Sequence, residues 1–119
     1  MERSKTNKTI AGYHLLMILS AIDFRFNPEE DKVIRSYLEQ EFPFHVNLDR
    51  EMGKISNLKP EEWEQHFIIY MNDFYDDATK EELDDFFNFA IRLVKADQII
   101  TAKENHFIKL MYNHWFENK

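Results

Sequence analysis

Apolar side chains recur every three or four residues along most of the chain, the spacing that gathers them on one face of an α-helix. No segment shows the sustained alternation of apolar and polar residues that is typical of a half-buried β-strand. Capping residues and prolines mark where the helical pattern starts and stops. The pattern therefore predicts an all-α fold with six helices, at about residues 9–23, 27–42, 47–57, 60–74, 80–96 and 101–115.

The first predicted helix, from Thr9 to Asp23, is apolar nearly all round, whereas the others carry one apolar face. Its densest stretch, Leu15–Leu19, leaves no broad polar face for solvent, so we expect neighbouring helices to cover it on most sides. The stretch is far shorter than the roughly 20 apolar residues that span a bilayer. It therefore predicts a central core helix and no membrane insertion.

Three helix starts carry the capping-box pattern, in which a polar side chain before the first turn is paired with a glutamate three residues later. Each partner accepts a hydrogen bond from the backbone N–H of the other, and these groups otherwise lack partners at a helix start. We expect such starts to be sharply defined. The predicted boxes are Asn27–Glu30, Thr79–Glu82 and Thr101–Glu104.

The composition agrees with one small helical domain over residues 1–119. Two Gly and three Pro are too few for a turn-rich β-sandwich or barrel, and 11 Phe supply large rings to fill a core. A chain of 119 residues suffices for one core, whereas two would each be near the lower limit of stability. The absence of cysteine excludes disulfides, thiolate catalysis and cysteine-bound zinc.

The charge balance bears on partners and location. With 22 acidic and 15 basic residues, the net charge is −7, which repels a phosphate backbone and argues against nucleic acid as a partner. Residues 1–8 are mostly charged and polar, which predicts a flexible N-terminal tail and no signal peptide. We therefore expect a cytoplasmic protein.

The most informative feature is an internal repeat. A shift of 74 residues, the spacing from Asp23 to Asp97, also places Glu30 on Glu104, with an apolar loop residue in each copy. Apolar positions of the flanking helices coincide as well. Each copy therefore predicts a helix, a short loop and a second helix, and we expect the two hairpins to pack around a pseudo-two-fold axis.

The repeats resemble those of the TerB-like family, named for tellurite-resistance proteins, whose two helix-loop-helix units each read Ala-Asp-Gly, an apolar residue two positions on and a Glu four later. The resemblance spans most of the chain, but Phe24 and Gln98 replace the glycines, which predicts a reshaped loop. It implies an all-helical, acidic, non-enzymatic module, associated with stress-response or membrane-linked systems and suspected of binding divalent cations. The matching positions are Asp23, Phe26 and Glu30 in the first copy and Ala96, Asp97, Ile100 and Glu104 in the second.

The repeat loops provide the candidate metal site. Two symmetry-related hairpins would bring four carboxylates together, and Ca²⁺ and Mg²⁺ prefer oxygen ligands. The alternative role is structural, because capping-box glutamates and aspartates beside helix ends bond backbone amides. No twelve-residue EF-hand loop occurs, which argues against tight calcium binding. The four candidate ligands are Asp23, Glu30, Asp97 and Glu104.

A run of acidic residues around the predicted fourth and fifth helices is expected to be solvated surface. Its concentration of charge also makes it the expected docking surface for a protein partner. The residues of this run are Asp73, Asp76, Asp77, Glu81, Glu82, Asp84 and Asp85.

The histidines invite a zinc or catalytic interpretation, but none stands in a His-Glu-x-x-His pattern. Two of them are eight residues apart on the sixth helix, too distant to share an ion without a third ligand between them. No Ser-His-Asp order and no glycine-rich phosphate loop is present. Core or surface roles are therefore expected for His14, His45, His66, His106 and His114, and core roles for the aromatic residues Trp63, Phe86, Phe87 and Phe89.

Together these features predict a non-enzymatic interaction module that presents an acidic surface to a protein partner and could hold Ca²⁺ or Mg²⁺ between the repeat loops. One alternative is a structural subunit that forms a homodimer through exposed aromatic side chains such as Phe44, Trp115 or Phe116. Another is a hydrolase with the four carboxylates as metal ligands, which would need a concave pocket with an open metal position.

Overall fold

The computed structural model describes residues 8–21, 28–41, 48–95 and 101–117 of the chain. Within these ranges the chain forms six α-helices and no strand, which confirms the predicted all-α class. The helices are α1 Lys8–Ala21, α2 Pro28–Glu41, α3 Leu48–Ser56, α4 Trp63–Asp77, α5 Lys80–Lys95 and α6 Ala102–Tyr112, with a turn of 3-10 helix at Pro60–Glu62 and a turn of π-helix at Asn113–Glu117.

The start of α1 differs by one residue from the prediction, because Lys8 is helical and not part of the tail. Its backbone N–H donates to Asp77 Oδ2 at 3.0 Å, and its ammonium group lies 2.8 Å from both carboxylate oxygens of Glu82. Carboxylates at this end of a helix are favoured by the helix dipole. The turn between α4 and α5 therefore anchors the start of α1.

The prediction that the first helix is central is confirmed. Every residue from Ala11 to Leu19 is buried, and α1 packs against α2, α3, α4 and α5. A helix that is apolar nearly all round gains hydrophobic stabilisation only if several neighbours cover it at once. The sixth helix lies outside this group and packs on α4 and α5.

Aromatic rings join α4, α5 and the C-terminal turn. The ring centroids of Phe74 and Phe86 are 4.4 Å apart, and that of Trp115 lies 5.3 Å from Phe74 and 5.8 Å from Phe86. Large rings in offset or edge contact contribute more than their buried area alone. The sixth helix and the turn after it bury Phe107, Ile108, Met111 and Trp115. Among the predicted core aromatics, Phe86 is fully buried and Trp63, Phe87 and Phe89 are partly buried.

The burial of Trp115 corrects one sequence-based expectation. Its side chain is 5% exposed, and its indole N–H donates to the backbone carbonyl of Met71 at 3.2 Å. It is therefore a core residue and not the exposed aromatic that a homodimer would use. Phe116 is partly buried, and Phe44 lies outside the described residues.

Gly12 provides a test of how closely α1 approaches its neighbours. A Cβ atom at this position would lie 2.9 Å from Phe86 Cε2 and 3.2 Å from Leu38 Cδ2, and both side chains are fully buried. We expect Gly12→Ala to lower the free energy of unfolding by about 1–2 kcal/mol, because overpacking outweighs the gain in helix propensity. Urea denaturation would measure this decrease in the free energy of unfolding.

Gly53 is the matched control, because it lies within α3 and a Cβ there would meet no atom within 4 Å. We expect Gly53→Ala to raise the free energy of unfolding by roughly 0.5–1 kcal/mol through helix propensity alone. Equal stabilisation by the two substitutions would contradict the close packing of α1 against α2 and α5.

Candidate functional site

Of the four predicted metal ligands, the structure describes the side chain of Glu104 alone. Its carboxylate accepts hydrogen bonds from the backbone N–H of Thr101 at 3.0 Å and from the Thr101 hydroxyl at 3.2 Å, while its own N–H donates to Thr101 Oγ1 at 3.2 Å. This confirms the predicted capping box at the start of α6. Asp23, Asp97 and the side chain of Glu30 lie outside the described residues, so the four-carboxylate site stays a prediction.

The capping box predicted before α5 is also confirmed. The backbone N–H of Thr79 donates to Glu82 Oε1 at 2.8 Å, and the N–H of Glu82 donates to Thr79 Oγ1 at 3.1 Å. The box predicted at Asn27 and Glu30 lies outside the described residues. Across the described ranges, no group of three or more His, Asp or Glu side chains is arranged to hold a metal ion.

The acidic run divides into a surface and a buried part. Glu82 is half-buried against Lys8, and Asp73, expected at the surface, is only 2% exposed. Asp73 follows Tyr70 by three residues and so shares the flank of α4 that packs toward α1, which explains its burial. The remaining five carboxylates are exposed and form what we call the acidic turn: Asp76, Asp77, Glu81, Asp84 and Asp85.

The polar group that the sequence analysis missed is a chain of three buried or half-buried side chains from three helices. His14 of α1 is fully buried, and its Nε2 lies 2.7 Å from Oε1 of Glu51 on α3. Its Nδ1 lies 2.8 Å from Nε2 of His66 on α4. Glu51 itself is 5% exposed. The side chains of Glu51, His14 and His66 thus connect α3, α1 and α4 through two short hydrogen bonds, and we call them the Glu-His-His chain.

The proton positions in this chain follow from the donors and acceptors available. A carboxylate only accepts, so His14 must donate to Glu51 through Nε2–H. The Nδ1 of a neutral His14 is then an acceptor, so His66 must donate to it through its own Nε2–H. Two neutral imidazoles therefore satisfy both hydrogen bonds, with all donors pointing toward Glu51.

The surroundings favour neutral rings. Burial lowers the pKa of His14 below its ordinary value of 6.5, and this effect outweighs the hydrogen bond and charge of Glu51, which raise it. Burial, together with the neighbouring His14, lowers the pKa of His66 to about 4, against the opposing charges of Glu62 and Glu51. Both histidines are therefore uncharged at neutral pH.

Two further groups complete the environment of the chain. The ring of Tyr70 stacks on His14, with centroids 4.1 Å apart and planes 5° from parallel. Lys54 Nζ lies 3.5 Å from Glu51 Oε2, so an ammonium group partly offsets the buried carboxylate. Unpaired, such a carboxylate would be costly to bury, and this arrangement supplies both a donor and a nearby cation.

The sequence contained a signal for this chain. His14 stands within an otherwise apolar helix, and Glu51 lies three residues after Leu48 and four before Ile55, on the apolar stripe of α3. A polar residue where the pattern requires an apolar one indicates a buried partner. The identity of that partner depends on how the helices pack, which the local pattern does not contain.

A second polar network ties α1, α2 and α3. The Tyr13 hydroxyl donates to Asp31 at 2.7 Å, and Arg35 donates to Asp31 at 3.0 Å and to the exposed Asp49 at 2.8 Å. Burial and the bond to Asp31 raise the pKa of Tyr13, so its hydroxyl stays a donor. Each side chain of this network bonds another, so we assign the network a structural role in holding α1, α2 and α3 together.

Open grooves lie on the surface of the described residues. One of about 460 Å³ between α2 and α5 is lined by Val33, Tyr37 and Phe89, with Lys32 and Arg92 among its polar residues. Neither it nor a groove of about 430 Å³ between α4 and α6 is lined by a predicted metal ligand.

The other described histidines lie apart from the Glu-His-His chain. His106 pairs with Glu64 at 2.8 Å beside the groove between α4 and α6, and His114 lies against Tyr75 with ring centroids 6.2 Å apart. Both are surface or partly buried residues, as predicted, whereas His14 is a core residue. His45 lies outside the described residues.

Comparisons of the chain with protein-family models, curated proteins and solved structures found no match. Among the described helices, none combines the length and apolar character that crossing a bilayer requires.

Proposed function

We propose that this chain is a non-enzymatic, cytoplasmic interaction module of the TerB-like kind, which presents the acidic turn to a basic segment of a protein partner. The observation that carries the proposal is the exposure of five carboxylates around one helix-to-helix connection, between α4 and α5. Closely spaced exposed charges of one sign steer a partner of opposite charge and fix its orientation.

The position of these carboxylates supports a role beyond folding. Asp76 and Asp77 stand in the last turn of α4, where the helix dipole disfavours negative charge, and that turn contains no basic residue. Asp77 accepts a hydrogen bond from the backbone N–H of Lys8, and Glu82 binds the Lys8 ammonium group. Helix chemistry alone accounts for Glu81, in the first turn of α5, but not for Asp84 and Asp85 farther along that helix.

The alternatives have less support. The hydrolase would need a concave site around Asp23, Glu30, Asp97 and Glu104, and the carboxylate of Glu104 already binds its capping partner. The homodimer hypothesis loses support because the Trp115 side chain is buried and cannot contact a second copy at the surface. The divalent ion between the repeat loops stays a prediction that rests on Asp23, Glu30, Asp97 and Glu104.

The proposal is tested with two charge-reversal variants of equal net charge. The turn variant carries Glu81→Lys, Asp84→Lys and Asp85→Lys. The control variant reverses three exposed glutamates elsewhere, at positions 39, 41 and 61. Three substitutions of two charges each take the net charge from −7 to −1 in both. The probe is a fluorescent amphipathic peptide of lysine and leucine, measured by anisotropy at low and high salt.

We expect the turn variant to bind this peptide about tenfold more weakly than the control variant, because only the turn variant loses the concentrated charge. The difference should shrink at high salt, since exposed charges are screened. Equal affinities for the two variants would show that net charge alone attracts the peptide, and would remove the acidic turn as a docking surface.

A further inference from the structure

The groove between α2 and α5 has an exposed apolar lining. Both helices pack on α1, and a space of about 460 Å³ lies between them. Their side chains meet where the rings of Tyr37 and Phe89 stack, with centroids 3.9 Å apart and planes 7° from parallel. Val33, which lines the same groove, is 52% exposed, more than any other large apolar side chain in the described ranges. An exposed apolar groove between two helices fits the apolar face of a third helix.

The charges that line this groove are opposite in sign to the net charge of the protein. The lining includes Lys32 and Arg92 but no aspartate or glutamate, whereas the whole chain has a net charge of −7. Both cations are exposed, and within the described ranges neither forms an ion pair. The guanidinium carbon of Arg92 lies 5.9 Å from the ring centroid of Phe89. A guanidinium held beside an aromatic ring can still bind a carboxylate through two parallel hydrogen bonds.

We infer that this groove binds an acidic amphipathic helix of a partner protein. A large apolar side chain of that helix would contact Val33 and Phe89, and a carboxylate would bind Lys32 and Arg92. The occupant follows from the lining, because its apolar part requires an apolar face and its two cations require negative charge. The inference is independent of the acidic turn, since it concerns another surface and a partner segment of the opposite charge.

The two cations lie at one end of the groove. On α2, Lys32 comes five residues before Tyr37. On α5, Arg92 comes three residues after Phe89. Because Tyr37 and Phe89 stack and both cations line one groove, the two helices run antiparallel past the rings. The cations therefore act on the same stretch of a bound helix, on the Val33 side of the rings.

Carboxylates mark the opposite end. Glu41 comes four residues after Tyr37, and Asp85 comes four residues before Phe89. Burial raises the pKa of Tyr37, and the charges of Glu41 and Asp85 raise it further, which places both carboxylates near this ring. An acidic end of a bound helix is therefore attracted to the two cations and repelled at the other end. This difference fixes the direction in which the helix lies.

The test uses a synthetic helical peptide of leucine, glutamine and glutamate, with leucines on one face and the glutamates in its first turn. The groove variant carries Lys32→Glu and Arg92→Glu. The control variant carries Lys59→Glu and Lys109→Glu, at exposed positions outside the groove. Two substitutions of two charges each take the net charge from −7 to −11 in both. Binding is measured by fluorescence anisotropy at about 0.15 M salt, where a Debye length of about 8 Å limits repulsion by distant carboxylates.

We expect the groove variant to bind this peptide about tenfold more weakly than the control variant, because only the groove variant loses the partners of the peptide carboxylates. Equal affinities for the two variants would overturn the inference. So would the absence of binding to the natural chain at about 1 mM peptide.

The apolar part of the groove has its own test. Val33→Asn removes an exposed apolar side chain at little cost in helix propensity, so the fold should be kept. We expect it to bind the peptide about fivefold more weakly than the natural chain, whereas Tyr75→Asn, on α4, should bind equally well. Full affinity in Val33→Asn would show that charge alone holds the peptide, and would overturn the groove as a helix site. Self-association of the natural chain in sedimentation velocity, abolished in the groove variant, would identify a second copy as the occupant and overturn the assignment to another protein.

Discussion

Replacing His14 with alanine is expected to lower the free energy of unfolding by about 3–5 kcal/mol, among the largest effects of any single substitution in this chain. The substitution removes the donor to Glu51 and leaves a 5% exposed carboxylate whose remaining close partner among the described residues is Lys54. It also opens a cavity beneath the stacked ring of Tyr70. Chemical denaturation at pH 7 would measure the change.

His106→Ala provides the control, because this ring is half-exposed and pairs with Glu64 at the surface. We expect it to change the free energy of unfolding by less than about 1 kcal/mol. The double variant His14→Ala, Glu51→Leu should recover part of the stability, since it removes the unpaired carboxylate along with its donor. If the double variant is clearly less stable than His14→Ala, the Glu51 carboxylate is not left without a partner by the loss of His14.

The second large effect is expected at Phe74. Replacing it with alanine should lower the free energy of unfolding by about 3–5 kcal/mol. Its ring is fully buried and contacts Phe86 and Trp115, so its loss removes the common neighbour of α5 and the C-terminal turn. Thermal and urea denaturation would both report it. Near-ultraviolet circular dichroism should also lose intensity, because Trp115 loses the Phe74 ring that stacks on it.

The neighbouring residue Tyr75 is the matched control for Phe74. It lies on the same helix, is 44% exposed and contacts only the edge of His114 among the ring contacts observed. We expect Tyr75→Ala to change stability by less than about 1 kcal/mol. Equal destabilisation at positions 74 and 75 would contradict the orientation of α4.

Local sequence patterns predicted the helices well because the relevant physics is local. The apolar run Leu15–Leu19 identified the central helix, and the Thr79–Glu82 and Thr101–Glu104 pairs identified helix starts whose hydrogen bonds the structure confirms. Even the short third helix was predicted close to its observed bounds, Leu48–Ser56. In each case the residues that decide the outcome are three or four positions apart.

The polar core was not predicted because its partners are far apart in the sequence. Glu51 and His14 are 37 positions apart, and His66 and His14 are 52 apart, so no short motif contains them. Charge alone also misled the interpretation of Asp73, which was grouped with exposed neighbours but lies on an inward flank of α4. Polar residues on the apolar faces of α1 and α3 indicated that buried polar partners exist. Which residues pair depends on how the helices pack, and the local sequence does not contain that information.

The predicted repeat is harder to check than the helices, because its diagnostic aspartates lie in the connections between helices. The capping box that opens the second helix of the second copy is confirmed at Thr101 and Glu104, while Asp23 and Asp97 lie outside the described residues. The pseudo-two-fold relation and a cation between the loops therefore stay predictions. The carboxylate of Glu104 serves as a helix cap, which is the structural alternative to metal binding.

The most direct test of the polar core is the protonation state of its two imidazole rings, read from long-range ¹H–¹⁵N correlation spectra at pH 7.5. The arrangement predicts that both rings are neutral, that His14 carries its proton on Nε2 with a bare Nδ1, and that His66 also carries its proton on Nε2. A protonated Nδ1 on His14, or a pair of rings that exchange tautomers as in free imidazole, would contradict the Glu-His-His chain.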